Sequence, residues 1–308
     1  MSDAAGERVS AVIVHYRTPA ETLRAAAAVA ATAPGAEILV VDNASHDGIG
    51  PALSRRVPAA RLLVEASNRG YGAGCNRGAR ESARPYLLFL NSDTAVAPGA
   101  VAELEAALDA DRRAAAAGPR LLNTDGTLQP SIRRLPTPWR VFCESSGLAF
   151  LAGGRRPFEG HTVTRQDHAE QRAVEALMGA ALLVRREAFE DVGGFDEAFF
   201  LYAEETDLMA RWAERKWRVL YAPSARVLHE GGRSGGDALF GHLHASLVRY
   251  SLKHHGRRGA RAAGLALDAG AVLRYAVALL TPGDAGRRRR TRYAAALRRR
   301  SAVATPVR

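Results

Sequence analysis

Short apolar runs alternate with stretches of helical periodicity through the first third of the chain. SAVIVHY, EILVVDN, RLLVEAS and YLLFLNSD are the apolar runs; between them lie an Ala-rich stretch after Thr18-Pro19, a shorter one ending near Arg56, and one running through Cys75 to Ser82. Repeated strand-helix steps predict an α/β fold, a mostly parallel sheet with helices on both faces. In such sheets a ligand occupies the crevice outside the carboxyl ends of the strands. Those ends are polar every time: His15 and Tyr16, Asp42 and Asn43, Asn68 after the third run, and Asn91-Ser92-Asp93 after the fourth. Polar residues repeated along one edge predict a binding crevice there.

Between Gly118 and Arg172 the pattern weakens, with five prolines and glycines that read as loops shaping a pocket. VEALMGAALLVRR then predicts a strand, followed by a helix near Glu187 and a turn at Gly193-Gly194. The acidic stretch Glu204-Glu205-Thr206-Asp207 opens a further helix, LMARWAERKW, and WRVLYAP reads as another strand. A helical region starts near Leu239. The expected organisation is a sheet domain over 1–235 and a helical region with a basic tail over 236–308, with no internal repeat.

Composition narrows the class. A chain of 308 residues, 47% hydrophobic, is long enough to bury a substantial core. Two cysteines, Cys75 and Cys143, provide neither a disulfide framework nor metal-ligand spacing. The first residues lack the order of a signal peptide, so a cytoplasmic location is expected. The most apolar late segment, AAGLALDAGAVLRYAVALLT, is broken by Asp268 and Arg274 and reads as an interfacial or packed helix rather than a spanning one. The net charge of +11 belongs mainly to the end of the chain, where residues 284–308 carry nine arginines against one acid. That cluster suits anionic lipid headgroups, giving a peripheral contact with the inner membrane face, as well as it suits RNA or a solvated tail.

The acidic stretch admits two readings. Carboxylates are favoured in a helix's first turn by the dipole and the free N–H groups. Following the apolar run Phe199 to Tyr202, they also stand where a core rim could present a proton acceptor. Asp93, at the end of an apolar strand, can reach a hard divalent cation, although one carboxylate alone is a weak site. The glycines of NRGYGAGCNRG let backbone approach a ligand, but the segment follows the third apolar run rather than the first and is no dinucleotide fingerprint.

Six segments in order, VSAVIVHYRTP, ILVVDNASHDG, NRGYGAGCNRG, FLNSDT, VEALMGAALLVRREAFEDVGGFDEAFFLYAEETDLMARW and RVLYAPSARVLHEGGRS, resemble the family 2 glycosyltransferases, most closely the rhamnosyltransferase-type branch. The resemblance covers about residues 8–255. It implies a GT-A fold and inverting transfer of a sugar, best matched by L-rhamnose from a dTDP donor (otherwise a UDP-sugar), to a glycan or lipid-linked acceptor. By the same resemblance His15, Tyr16, Asp42, Asn43, Asn68, Gly74, Asn76 and Ser92 line the donor nucleotide, and Asp93 with His229 holds Mg2+ or Mn2+. Glu205 is the expected base, with Glu204 and Asp207 as alternatives, because Glu204-Glu205 stands where the family has Glu-Asp. Arg233, Gly179 and Ala180 are weaker expectations for the diphosphate or acceptor. The rival readings are a soluble secondary-metabolite acceptor and a non-catalytic nucleotide- or RNA-binding protein; nucleic acid is not the expected partner.

Overall fold

The computed structural model describes residues 5–163, 168–231 and 236–294 except 285, 288 and 292; over 236–240 the description is of the backbone alone. Two compact units divide the chain: 1–133, 166–200 and 204–234 form the first, and 134–165, 201–203 and 235–308 the second.

The first unit begins with the strand-helix alternation of the sequence: β1 (Val9–His15), α1 (Pro19–Thr32), β2 (Glu37–Asp42), α2 (Gly50–Arg56), β3 (Ala60–Val64), α3 (Tyr71–Arg80) and β4 (Tyr86–Asn91). It continues through β5 (Thr94–Val96), α4 (Ala100–Ala110), β6 (Ala114–Leu122), β7 (Leu128–Gln129) and β8 (Ile132–Arg133). After α5 (Pro138–Ser146) and α6 (Leu148–Leu151), both in the second unit, the chain returns as β9 (Arg172–Val174), β10 (Ala176–Leu177), β11 (Ala181–Arg185), α7 (Arg186–Asp191), α8 (Glu204–Glu214) and β12 (Arg218–His229).

The main sheet runs β3-β2-β1-β4-β11-β6-β12-β5. Its first four strands are parallel, and β11 enters antiparallel between β4 and β6. Every residue of β1 is buried, as befits a strand covered on both faces. One face packs on α1 and α4 through Val9, Ile13, Val29, Leu90, Leu104 and Leu108.

Three elements differ from the sequence expectation. Ala114–Leu122 is a strand, although its alanine run favours helix by propensity; burial between β11 and β12 overrides a weak local preference. VEALMGAALLVRR is three short strands, interrupted where Met178 donates its N–H to the Ser131 carbonyl, 2.8 Å away. The last strand reaches His229, passing Pro223 at a register shift between Ala222 and Arg226. Asp93 does not cap α4, whose cap is Gly99.

Residues 68–71 bind the loop before α8. Gly70 has φ +95°, and its successor Tyr71 donates its N–H to the Phe200 carbonyl at 3.0 Å. A Cβ on Gly70 would run into that carbonyl.

In the second unit, Pro138 and the Thr137 hydroxyl, which accepts the Arg140 N–H at 3.2 Å, start α5. This helix packs on α9 (Gly236–Leu279), which is two helical segments joined at Gly256, where φ is 67°. Val141, Leu247, Ala266 and Leu267 form the shared core.

Replacing Gly70 by alanine combines a left-handed backbone with a backbone clash. The variant is expected to lose about 2 kcal/mol or more, measured as a lower midpoint in urea with an unchanged slope.

Candidate active site

The carboxyl edge of the parallel strands gathers most of the polar residues expected there. Asp93 follows β4, and antiparallel pairing of β12 with β5 sets His229 opposite Thr94. Asp93 Oδ1 lies 3.3 Å from His229 Nε2, and Asn91 Nδ2 lies 3.5 Å from the same nitrogen. Gln129 fixes the ring. Its Nε2 donates to Asn123 Oδ1 at 3.0 Å, which turns its Oε1 toward His229 Nδ1 at 2.6 Å. The imidazole therefore donates from Nδ1 and directs Nε2 at Asp93. A carboxylate oxygen and an imidazole nitrogen held this close need a proton or a cation between them. Burial works against the charge on Asp93, yet His229 and the Gly231 N–H outweigh it and keep this carboxyl below the ordinary range.

Asp93 and His229 would suit a divalent cation, offering it one carboxylate oxygen and one imidazole nitrogen. Among the described residues no group of three or more His, Cys, Asp or Glu could hold a metal by itself.

Next to Asp93, Ser92 accepts the Thr18 hydroxyl at 2.9 Å. Tyr16 is 41% exposed, with the Arg17 guanidinium 5.2 Å from its ring centroid, and Asp42 accepts the Ser45 N–H at 2.8 Å. Arg17, Ala44 and His46 all have positive φ, between 55° and 59°. Left-handed backbone at three non-glycine positions is strain of the kind that collects in binding loops.

Five residues expected at the nucleotide make contacts within the fold. His15 is wholly buried: Nδ1 donates to the Thr22 hydroxyl at 2.9 Å, and Nε2 faces Asp47 at 3.0 Å, so the ring positions the loop carrying Asp47. Asn43 donates to Asn68 Oδ1 at 2.8 Å and to the Gly70 carbonyl at 3.0 Å, and together these two asparagines stitch the loop after β2 to the start of α3. Asn76 gives its amide to the main chain of Phe195 in both directions, each bond 2.9 Å long. Gly74 lets α3 approach β1, since a Cβ there would stand 2.9 Å from a Val14 methyl. Arg233 lies outside the described residues. Asp47, Thr18, Gln129 and Asn123 are the site residues sequence reasoning passed over. Asp47 and Thr18 sit inside segments already quoted, whereas Gln129 and Asn123 lie in the stretch that reads as loop.

The acidic end of α8 separates into three environments. Asp207 is fully buried and its Oδ2 receives Arg211 Nε at 2.8 Å, while the same guanidinium donates to the Val192 and Gly194 carbonyls. This acid braces the preceding turn and has no exposed surface with which to meet an acceptor. Glu204, 4% exposed, faces α3, its Cβ close to Gly72. Glu205 is partly exposed and lies on Gly179, where a Cβ would come within 3.1 Å of its Cβ and Cγ. The Gly179 N–H supports the Glu205 carboxylate, yet Oε2 of both glutamates has no hydrogen-bond partner. Burial, reinforced by the Glu205 charge, raises Glu204 well above the ordinary carboxylate range, and burial raises Glu205 as well. Glu204 is the acid kept protonated and Glu205 the one that ionises. Ala180 joins the halves, its carbonyl accepting the Asn91 N–H at 2.9 Å.

Residues 10–193 match the family described as Glycosyl transferase family 2. An N-acetylglucosaminyl-diphospho-decaprenol L-rhamnosyltransferase from Mycobacterium tuberculosis (strain ATCC 25618 / H37Rv) is 36% identical over 231 residues, covering 70% of this chain and 73% of that protein. The chain belongs to glycosyl transferase family 2. It is a glycosyltransferase of the rhamnosyltransferase-like kind, and its sheet is the GT-A fold. The low-salt glycan biosynthesis hexosyltransferase Agl10 of Haloferax volcanii is 26% identical over 207 residues, covering 66% of this chain and 61% of that protein. A mannosyltransferase from Pyrobaculum calidifontis, solved with GDP-Man and Mn2+, superposes with a TM-score of 0.58 at 17% identity, covering 98% of this chain and 83% of that one.

The glutamate pair gives this glycosyltransferase a pH-dependent cost. Between the ordinary carboxylate range and the raised value of Glu204, the folded state holds a proton that the unfolded chain has lost, so stability falls as pH rises. Glu204→Gln reduces that slope, since of the two raised carboxyls it takes away the one raised further. Urea titrations at mildly acidic and mildly alkaline pH are expected to show the variant gaining on the wild type as pH increases.

Proposed function

We propose that this glycosyltransferase moves L-rhamnose from dTDP-rhamnose to a hydroxyl of a lipid-linked, N-acetylglucosamine-bearing acceptor, with Glu205 as the base. The observation that carries the assignment of the base is the seat of Glu205 on Gly179, one residue from the Ala180 carbonyl that pairs with Asn91 beside Asp93. The sugar and acceptor rest on the activity named for the M. tuberculosis relative, which is similar over 70% of the chain.

In this reading the transfer chemistry belongs to residues 1–235, with Tyr16, Asp42 and Ser92 facing the nucleotide. Glu205 accepts the acceptor hydroxyl's proton as that oxygen bonds to the anomeric carbon. The bond from that carbon to the diphosphate breaks, and its electron pair leaves with the nucleoside diphosphate. Inversion follows from direct displacement. A raised carboxyl pKa suits a base working near neutral pH. A divalent cation bound by Asp93 and His229 supplies countercharge for the leaving diphosphate. A nitrogen ligand favours Mn2+ over Mg2+ at such a pair, in keeping with the Mn2+ of the P. calidifontis mannosyltransferase.

Thermal stabilisation by a panel of dTDP-, UDP- and GDP-sugars with Mn2+ tests the donor, since selective binding raises apparent stability. The dTDP-rhamnose arm is expected to give the largest shift; a larger shift with a UDP- or GDP-sugar overturns the sugar assignment. Glu205→Gln is expected to lower kcat by about 10²–10⁴-fold while keeping the donor shift, and undiminished turnover would move the base elsewhere.

Gln129→Leu removes the acceptor that orients His229 without touching either cation ligand. Mn2+ affinity, read by calorimetry, is expected to weaken by about 10–100-fold, with little change in the melting temperature of the metal-free protein.

A further inference from the structure

The last helical segment of the second unit is apolar on two opposite faces. Toward the core it presents Ala263, Ala266, Leu267, Gly270 and Ala271, which pack with α5. Facing outward at three- and four-residue spacing are Leu265, Ala269, Val272, Ala276 and Leu280, with Leu273 beside them. Asp268 and Arg274 are the charged residues between 262 and 280, and both are only partly exposed rather than on this outer stripe; Arg274 donates to the Glu144 carbonyl at 2.6 Å. At 1.5 Å per residue the stripe is about 22 Å long. Gly241–Leu279 has a mean hydropathy of 1.5 in its most apolar part. A helix apolar all round is normally covered on every side.

The opposite face is taken by α5: Gly270 fits against Ser145, where a Cβ would collide with backbone.

The charges at the two ends of the stripe indicate what covers it. Lys253, Arg257, Arg258 and Arg261 are exposed before it, with no acid from 253 to 261, and Arg287 and Arg289 are exposed after it. A second copy of this chain packed face to face, parallel or antiparallel, would bring cationic ends against cationic ends. An anionic bilayer offers acyl chains to the stripe and headgroup phosphates to both clusters. Because α5 covers the opposite face, the segment lies along the surface rather than crossing it.

We propose that the outer face of residues 262–280 is a membrane-docking surface for anionic phospholipid. It deepens the lipid-linked reading of the acceptor and rests on that reading for its purpose, while its chemistry is separate from the transfer site.

The test is co-sedimentation of the full chain with phosphatidylcholine vesicles, with and without phosphatidylglycerol. Wild type is expected to pellet with the anionic vesicles. Leu265→Gln/Val272→Gln/Leu273→Gln is expected to weaken binding by roughly tenfold or more, with circular dichroism and melting temperature unchanged. Unaltered binding in this variant overturns the surface, as does failure of wild type to bind, or a wild-type dimer that the variant dissolves. Transfer to a short-chain, water-soluble acceptor, measured in parallel, reports on the proposed activity alone. Loss of that transfer with vesicle binding intact counts against the activity and leaves the surface standing; retained transfer with no vesicle binding does the reverse.

Discussion

The contact between Gly179 and Glu205 is the constraint around which the catalytic edge is arranged. The glutamate's Cβ and Cγ lie where a side chain on residue 179 would begin, and the Gly179 N–H meets the carboxylate. Only a residue without a side chain permits that approach. The strand ladder is interrupted at the same place, between β10 and β11, so Met178 and Ala180 turn their backbone groups to Ser131 and Asn91 instead. β11 can then run antiparallel beside β4, with Ala181 paired to Leu90. The residues following β4 and the first turn of α8 are thereby brought to one edge of one sheet.

Three acids within one helical turn acquire three different chemistries because the turn points them in different directions. Asp207 is neutralised by Arg211 and serves the turn at Val192 and Gly194. Glu204 points at α3, where burial and its neighbour's charge keep its proton on. Glu205 alone combines partial exposure with a carboxylate oxygen lacking any partner. A helix N-terminus eases the burden of one ionised carboxylate there; two would repel each other across adjacent residues, so the pair divides into one acid and one anion.

The edge of the sheet was readable from sequence because strand ends follow directly from apolar run lengths. Asp93 could be named in this way, since it follows an apolar stretch, whereas His229 rested on the resemblance, because the apolar run WRVLYAP stops at Pro223. Periodicity does not report which polar atoms remain once local hydrogen bonds have formed. His15, Asn43, Asn68 and Asn76 all sit in the expected neighbourhood, yet His15, Asn43 and Asn76 bond to Thr22, Asp47, Gly70 and Phe195, and Asn68 Oδ1 accepts from Asn43 and from the Gly70 N–H. Gln129 was invisible for a different reason. It belongs to a two-residue strand whose pairing to Leu121 is fixed wholly by tertiary structure. The strand Ala114–Leu122 was hidden because alanine carries no β signal of its own.

The backbone before α8 explains why Glu205 rather than Glu204 lies on Gly179. The register of the helix is fixed from its far side: Trp212 is wholly buried with its Nε1 donating to the Ala188 carbonyl at 2.8 Å, and Leu208 and Met209 are equally buried, Met209 accepting the Leu177 N–H on its sulfur. A shift of one residue turns a helix by about 100°, which would expose Trp212 and send Glu204 to Gly179. The chain reaches the required starting angle through Tyr202 and Ala203, with φ of 67° and 64°. Left-handed conformation costs each of these residues roughly 1–2 kcal/mol, a cost of the same order as the burial of one large side chain. Three such side chains hold the register, so the strain is tolerated, and it falls immediately before the acid that the site needs in one orientation.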